Sequence, residues 1–188
     1  MPLQGAMTMR AESPEVYYTD APVVVATAAD IARLKKIASG NPRLRSRLCA
    51  HPSPAADVHE MLIVHHRDVY VRPHMHVGKA ESFHLLEGTV EIVMFNDDGT
   101  IRDVIDMAEF GSGRPFFYRS PERVFHTLLI TSEWLVFHET TAGPFDPAKT
   151  IFPGWAPDGA DAVDARRYTD DLRQAAERHL SAHQRKAV

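Results

Sequence analysis

Two histidines separated by one residue, His74-Met75-His76, are followed after four intervening residues by Glu81 and after six more by Gly88. Alternate residues of a strand share a face, so both imidazoles can reach one cation. Gly78 lets the chain turn, and Glu81 opens the next run and can return a carboxylate to the same point. His126 follows Pro121 by five residues, just inside an apolar run, and is the candidate fourth ligand. Three imidazoles and one carboxylate suit Fe, Mn, Ni, Cu or Zn and leave positions open for water or substrate. Histidine is also abundant: of 11 in the chain, eight fall between residues 59 and 138.

Strand alternation sorts the neighbours of these four. If His74 and His76 face inward, Arg72 and Tyr70 share their face unless Pro73 introduces a bulge. If Glu81 faces inward so do Phe83 and Leu85, and His84 points the other way. Inward His126 would carry Leu128 and Ile130 into the core. On the run Trp134 to Glu139, either Trp134, Val136 and His138 or Leu135, Phe137 and Glu139 face the core, and alternation alone leaves the choice open. Arg72, Lys79, Tyr118, Arg119 and His138 are the candidate substrate contacts, with Arg72 and Tyr118 also the candidate catalytic groups. A guanidinium offers a planar fork to carboxylate or phosphate, and a phenol can donate a proton. For Lys79, Arg119 and His138 the plainer reading, a solvated charge or a hydrogen-bonded imidazole, is preferred. The same plain reading applies to His59-Glu60 and His65-His66 on an apparent edge strand, and to His179 and His183 on the tail.

Other chemistries find no support. There is no G-x-S-x-G, phosphate-binding glycine loop, CxxC or H-E-x-x-H. The single cysteine, Cys49, cannot form an internal disulfide, lacks a neighbouring base and fits a reducing, cytoplasmic setting. A net charge of −4 provides no attraction for phosphate backbones, so nucleic acid is not an expected partner. No apolar run approaches the ~18 residues of a membrane span, and no export signal opens the chain.

The elements that must position these groups are short. At 44% hydrophobic and 24% charged, 188 residues describe one ordinary globular domain. Residues 1–26 read as an irregular leader. Thr27 can cap a helix through Ile31, Leu34, Ile37 and Ala38, stopped at Gly40, and Arg43 to Cys49 reads as a short second helix. Its basic residues read as a solvated helix face. From residue 58 the pattern becomes strand after strand: His59–His66, Tyr70–His76, Ser82–Leu86, Thr89–Phe95, Ile101–Met107, Phe116–Arg119, Phe125–Thr131 and Trp134–Thr140. Asn96-Asp97-Asp98-Gly99 marks a hairpin. Such a series without intervening helices argues for an antiparallel sandwich or barrel. A proline-rich arm follows, and Ala160–Val188 reads as a polar helix with a loose stripe of Val163, Tyr168, Leu172, Ala176 and Leu180.

The pattern H-x-H-x4-E-x6-G with a later P-x4-H resembles the two motifs of the cupin superfamily over about residues 58–141. Tyr70-Val71-Arg72-Pro73-His74-Met75-His76, Lys79 to His84, Tyr118-Arg119, His126-Thr127, Asn41-Pro42-Arg43, His59 to Leu62 and Phe137 to Phe145 are similar to the WbuC-type cupin metalloproteins, extending the likeness to residues 27–146. The resemblance implies His74, His76, Glu81 and His126 as metal ligands and a link to surface-polysaccharide gene clusters. Asp68, Arg123 and Ile130 depart from cupin positions usually held by Gly, Gly and Asn; none is a ligand.

The expectation is therefore a mainly β chain, a single antiparallel cupin (jelly-roll) barrel with N-terminal helices and a C-terminal helical tail. Its parts are a leader (1–26), a helical segment packed on the barrel (27–57), the barrel (58–146), and an arm with the tail helix (147–188). It binds one divalent transition metal (Fe, Zn, Ni or Mn) and a small-molecule ligand. The expected function is isomerase, epimerase or oxygenase chemistry on a carbohydrate-related or anionic substrate; the alternative is a metal-dependent binding or sensing module. A homodimer is expected, since such barrels pair through sheet edges.

Overall fold

The computed structural model describes residues 7–184; residues 1–6 of the expected leader and 185–188 of the expected tail lie outside them. In chain order the elements are β1 (Arg10–Ala11), β2 (Val16–Tyr18), α1 (Ala28–Ser39), β3 (Arg45–Cys49), β4 (Val58–His66), β5 (Met75–His76), β6 (Glu81–Glu87), β7 (Thr89–Phe95), β8 (Ile101–Ala108), β9 (Phe117–Ser120), β10 (Phe125–Ile130), β11 (Trp134–Ala142), β12 (Thr150–Ile151) and α2 (Ala162–Gln184). One sheet runs β1-β2-β3-β4-β11-β6-β9, a second β10-β7-β8, and a third pairs β12 with β5. The first two face each other. Met61, Ile63, Phe83, Leu85 and Phe137 of the large sheet meet Val90, Ile92, Met107 and Ile130 of the small one in a common core. Phe83 and Phe137 stack there with ring centroids 3.9 Å apart. Fully burying one such side chain contributes roughly 1.5–3 kcal/mol. The mainly β jelly-roll expectation is met, as two facing sheets.

A helix packs on the outer face of each of the two facing sheets. The capping of α1 comes from Asp30, whose carboxylate accepts from the Thr27 backbone N–H at 2.8 Å and the Thr27 hydroxyl at 2.7 Å. Leu34 and Ala38 then pack against Leu48, Val64 and Val136. Leu172 and Ala176 of α2 cover Val93, Phe95 and Leu129. Val163, placed on that stripe by sequence, is 74% exposed, and Ala165 is buried instead. No helix among the described residues is long and apolar enough to cross a membrane.

Four expectations need correction. Residues 43–49 do not form a second helix. Arg45, Ser46, Arg47 and Leu48 alternate with a period of two, and β3 pairs antiparallel with β4 along Arg45↔His65, Arg47↔Ile63 and Cys49↔Met61. The leader is not wholly irregular, because β2 adds to β3 in parallel and extends the sheet. Strand β4, read as an edge, is interior, between β3 and β11. The run Tyr70–His76 is a strand only at Met75–His76. Pro73 has no N–H to give a ladder, and Val71 gives its carbonyl to the Thr127 hydroxyl.

Candidate metal centre and the cavity beside it

His74 and His126 are tied together by their backbones. The His74 N–H donates to the His126 carbonyl at 3.0 Å, and the His126 N–H donates back at 2.9 Å. This bridge sets two imidazoles side by side, with centroids 4.6 Å apart. The Nδ1 of His74 donates to the Arg72 carbonyl at 2.8 Å, and that of His126 to the Val124 carbonyl at 3.0 Å. Each contact places the ring proton on Nδ1 and leaves the Nε2 lone pair free, the tautomer a metal needs. Strand β5 brings His76 to the same point, and the turn at Gly78 (φ 75°) leads into Glu81 at the start of β6. Glu81 Oε1 lies 2.9 Å from His76 Nε2, and Oε2 lies 3.6 Å from His126 Nε2.

One ligand atom from each of His74, His76, Glu81 and His126 lies within 4.8 Å of every other, a group that could hold a metal ion. The residues fit one on their own chemistry. His76 Nε2 is buried and makes no hydrogen bond despite its closeness to Glu81, so the donor atoms converge on a shared point rather than on one another. Burial, reinforced by neighbouring His126, pushes the His74 imidazole down to about 3, which keeps it neutral and able to ligate. Burial would raise the Glu81 carboxyl, but the His126 and His76 imidazoles outweigh it and hold it well below the usual carboxylate range.

The group opens onto a cavity of about 1120 Å³ between the sheets. Arg72, Lys79 and Tyr118 all line it. The Arg72 guanidinium lies 4.7 Å from the centroid of Phe152, which the arm carries past His74. The Tyr118 hydroxyl is buried without a hydrogen-bond partner, and burial raises its pKa. Arg119 and His138 do not belong to the site. Arg119 pairs across to Ser82 and is exposed on the outer face. His138 pairs with Leu62 and His84, also on the outer face. Alternation puts each on the side opposite Tyr118 and Glu139. His84 points away from the metal group and packs on Phe116. On the tail helix, His179 and His183 stack with centroids 4.3 Å apart, and among the described residues the one carboxylate that approaches is Asp103, 4.0 Å from His179. Burial raises the Cys49 thiol, against a role as nucleophile.

Three cavity residues escape the sequence reading. Leu135, Phe137 and Glu139 form the inner face of β11, and Trp134 and Val136 turn to α1. Glu139 thus stands inside the cavity, and no ion pair within 4.0 Å reaches it among the described residues. Burial, then the nearby Glu81 charge, raises its carboxyl to about 8, against the opposing pull of Arg47 and Lys79. Arg47, read as part of a solvated helix, faces the cavity from β3, its Nε buried and unpartnered. His65 lines the same end, and burial with Arg45, Arg47 and Arg43 pushes it down to about 3. The period-two alternation of residues 45–48 is the signal that would have found Arg47.

A family model described only as a domain of unknown function (DUF6016) matches residues 26–107. No curated protein matches. Among solved structures, the capsular polysaccharide assembling protein CapF from Staphylococcus aureus is similar at 17% identity and TM-score 0.48, over 60% of this chain and 32% of that one. Protein SO0799 from Shewanella oneidensis is similar at 8% identity and TM-score 0.45, over 55% and 66%. Oxalate decarboxylase from Lactobacillus farciminis is similar at 15% identity and TM-score 0.41, over 51% and 26%. The chain thus spans under two thirds of each of these structures, and overlap of this extent transfers no activity. From its own atoms this chain is a mainly β protein of two facing sheets carrying a three-histidine, one-glutamate group able to hold a metal ion at the wall of a large, open cavity.

Proposed function

We propose that this chain is a metal-dependent enzyme acting on a small polar, carbohydrate-related or anionic substrate. In this reading His74, His76, Glu81 and His126 hold one divalent transition metal, iron, manganese, nickel or zinc. The observation that carries the reading is the convergence of those four ligand atoms at the wall of a cavity far larger than an ion requires. When bound, such an ion polarises a substrate oxygen for isomerisation or epimerisation or, if it is iron, supports oxygenation. The chain's own groups supply the rest. Arg72 orients an anionic substrate, its guanidinium braced on Phe152. Tyr118 and Glu139 hold exchangeable protons at the Oη and carboxyl oxygens that face the cavity. Phe83, Phe137 and Ile63 line the apolar part of the wall, limit water there and sharpen the electrostatics of the polar groups. A role in surface-polysaccharide biosynthesis rests on the WbuC-type resemblance alone.

The test is elemental analysis of protein purified without affinity tag or chelator, beside His126→Ala. One metal per chain is expected in the parent protein and a sharp loss in the variant, with the far-ultraviolet circular dichroism unchanged. Equal metal content in the two would remove His126 from the ligand set, and no metal in either would overturn the reading.

A further inference from the structure

The cavity has a second charged pole, opposite the metal group. On the inner face of the large sheet Cys49, Met61, Glu139, Phe83 and Tyr118 form one cross-strand row. Arg47, Ile63, Phe137 and Leu85 form the next. Glu81 stands on β6 and Arg47 on β3, with β11 and β4 between them. Three inter-strand steps of about 4.8 Å, with four residues of about 3.3 Å along the strands from Glu81 to Leu85 in the row of Arg47, separate those backbones by about 20 Å. Side chains reaching inward from both ends leave a gap the size of a small sugar derivative, floored by Phe137 and Ile63 and overlooked by Glu139.

At the far end, cation outnumbers anion. Glu15 serves two guanidiniums, 3.3 Å from Arg43 and 2.7 Å from Arg45. Arg47, the third, makes no ion pair within 4.0 Å among the described residues, and its Nε is buried without a hydrogen-bond partner. Its cross-strand neighbours are Val16 and Ile63, neither able to offset a charge. The side chain is only half-buried, with Nε the atom withdrawn from water, and an oxyanion that accepts from it supplies the partner that Nε lacks.

We propose that the cavity takes an acidic small molecule lying across the sheet, its carboxylate or phosphate held by Arg47 and its hydroxyl or carbonyl oxygens at the metal end. Sugar acids and sugar phosphates have this chemistry; a neutral sugar lacks half of it. The proposal deepens the reading of the cavity as a substrate site, yet Arg47 binds its oxyanion whether or not a metal is bound. Glu139 lies between the poles, where its carboxyl meets the middle of the bound chain.

The experiment is isothermal titration calorimetry with D-gluconate, D-glucose 6-phosphate and neutral sorbitol, on metal-loaded and chelator-stripped protein. The parent protein should bind at least one of the two acids tenfold or more tighter than sorbitol, and whichever acid wins identifies carboxylate or phosphate as the group held. Arg47→Gln should abolish that preference without changing metal content or melting temperature. Should Arg47→Gln fail to fold, Arg47→Lys carries the test: a point charge without the planar fork should lose most of the preference. Equal affinities for the acids and sorbitol, or a preference that survives in a folded Arg47 variant, overturns the proposal. If the parent protein binds no metal but stripped protein keeps an Arg47-dependent preference for acid, the metal reading fails and this one stands.

Discussion

Replacing His65 by leucine should flatten the acid side of the stability profile. In the folded chain this imidazole is 8% exposed, its Nδ1 has no hydrogen-bond partner, and burial together with Arg45, Arg47 and Arg43 depresses its pKa to about 3. In the unfolded chain it titrates near 6.5. Between those values the unfolded state binds a proton that the folded state refuses, so this group's contribution is fully present above about pH 6.5 and is lost as pH falls toward 3. The slope approaches 1.4 kcal/mol per pH unit, and from pH 7 to pH 4.5 the loss comes to about 2.5 kcal/mol. Set against a total stability of roughly 5–15 kcal/mol, that is a large fraction. Urea denaturation followed by circular dichroism at both pH values reads it directly, as a fall of about 1 M in the parent midpoint that is absent from the His65→Leu difference. Because the orphaned Nδ1 disappears with the ring, the variant should be near neutral at pH 7. Parent and variant losing equal stability on acidification would refute the argument that His65 is held neutral by burial and its arginine neighbours.

Glu139→Gln should act on the alkaline side. The folded carboxyl titrates at about 8 against an ordinary 4.5, so the chelator-stripped parent loses stability as pH rises through that interval and the glutamine variant does not; at pH 8 the variant should be the more stable by roughly 4 kcal/mol in the same urea assay. Gly88→Ala should cost roughly 2–4 kcal/mol, because φ is +92° there and a Cβ would collide with the Trp134 carbonyl and the Ser132 hydroxyl; a thermal melt within a degree of the parent would contradict this. Light scattering should give twice the chain mass, in keeping with the homodimer expected from the sequence, and a monomer mass would remove that expectation.

Much of the centre was legible because it is local. His74 and His76 sit two apart, Gly78 and Glu81 follow at fixed offsets, and period-two alternation assigns Phe83 and Leu85 to the same face as Glu81. Such features depend on chain geometry over a few residues, and the structure presents them as read. Arg72 was placed by the same alternation, although only Met75–His76 of that run is strand, and Tyr118 was named for its phenol; both line the cavity. Parity likewise excludes Arg119 and His138 once one knows which face of each strand is inside.

Which face is inside is what only the tertiary structure decided. Strand β11 is covered on both sides, by the opposite sheet and by α1, so its hydrophobic pattern is nearly continuous and conceals Glu139 among core residues. Arg47 was hidden by a segment short enough to suit either period, and pairing with β4 over Arg45↔His65 to Cys49↔Met61 made it a strand. The state of His65 depends on arginines some twenty residues away. A sequence specifies what each side chain can do within a turn or a pleat; the field and the solvent it meets come from residues brought close only by folding, and those decide its charge and its partners.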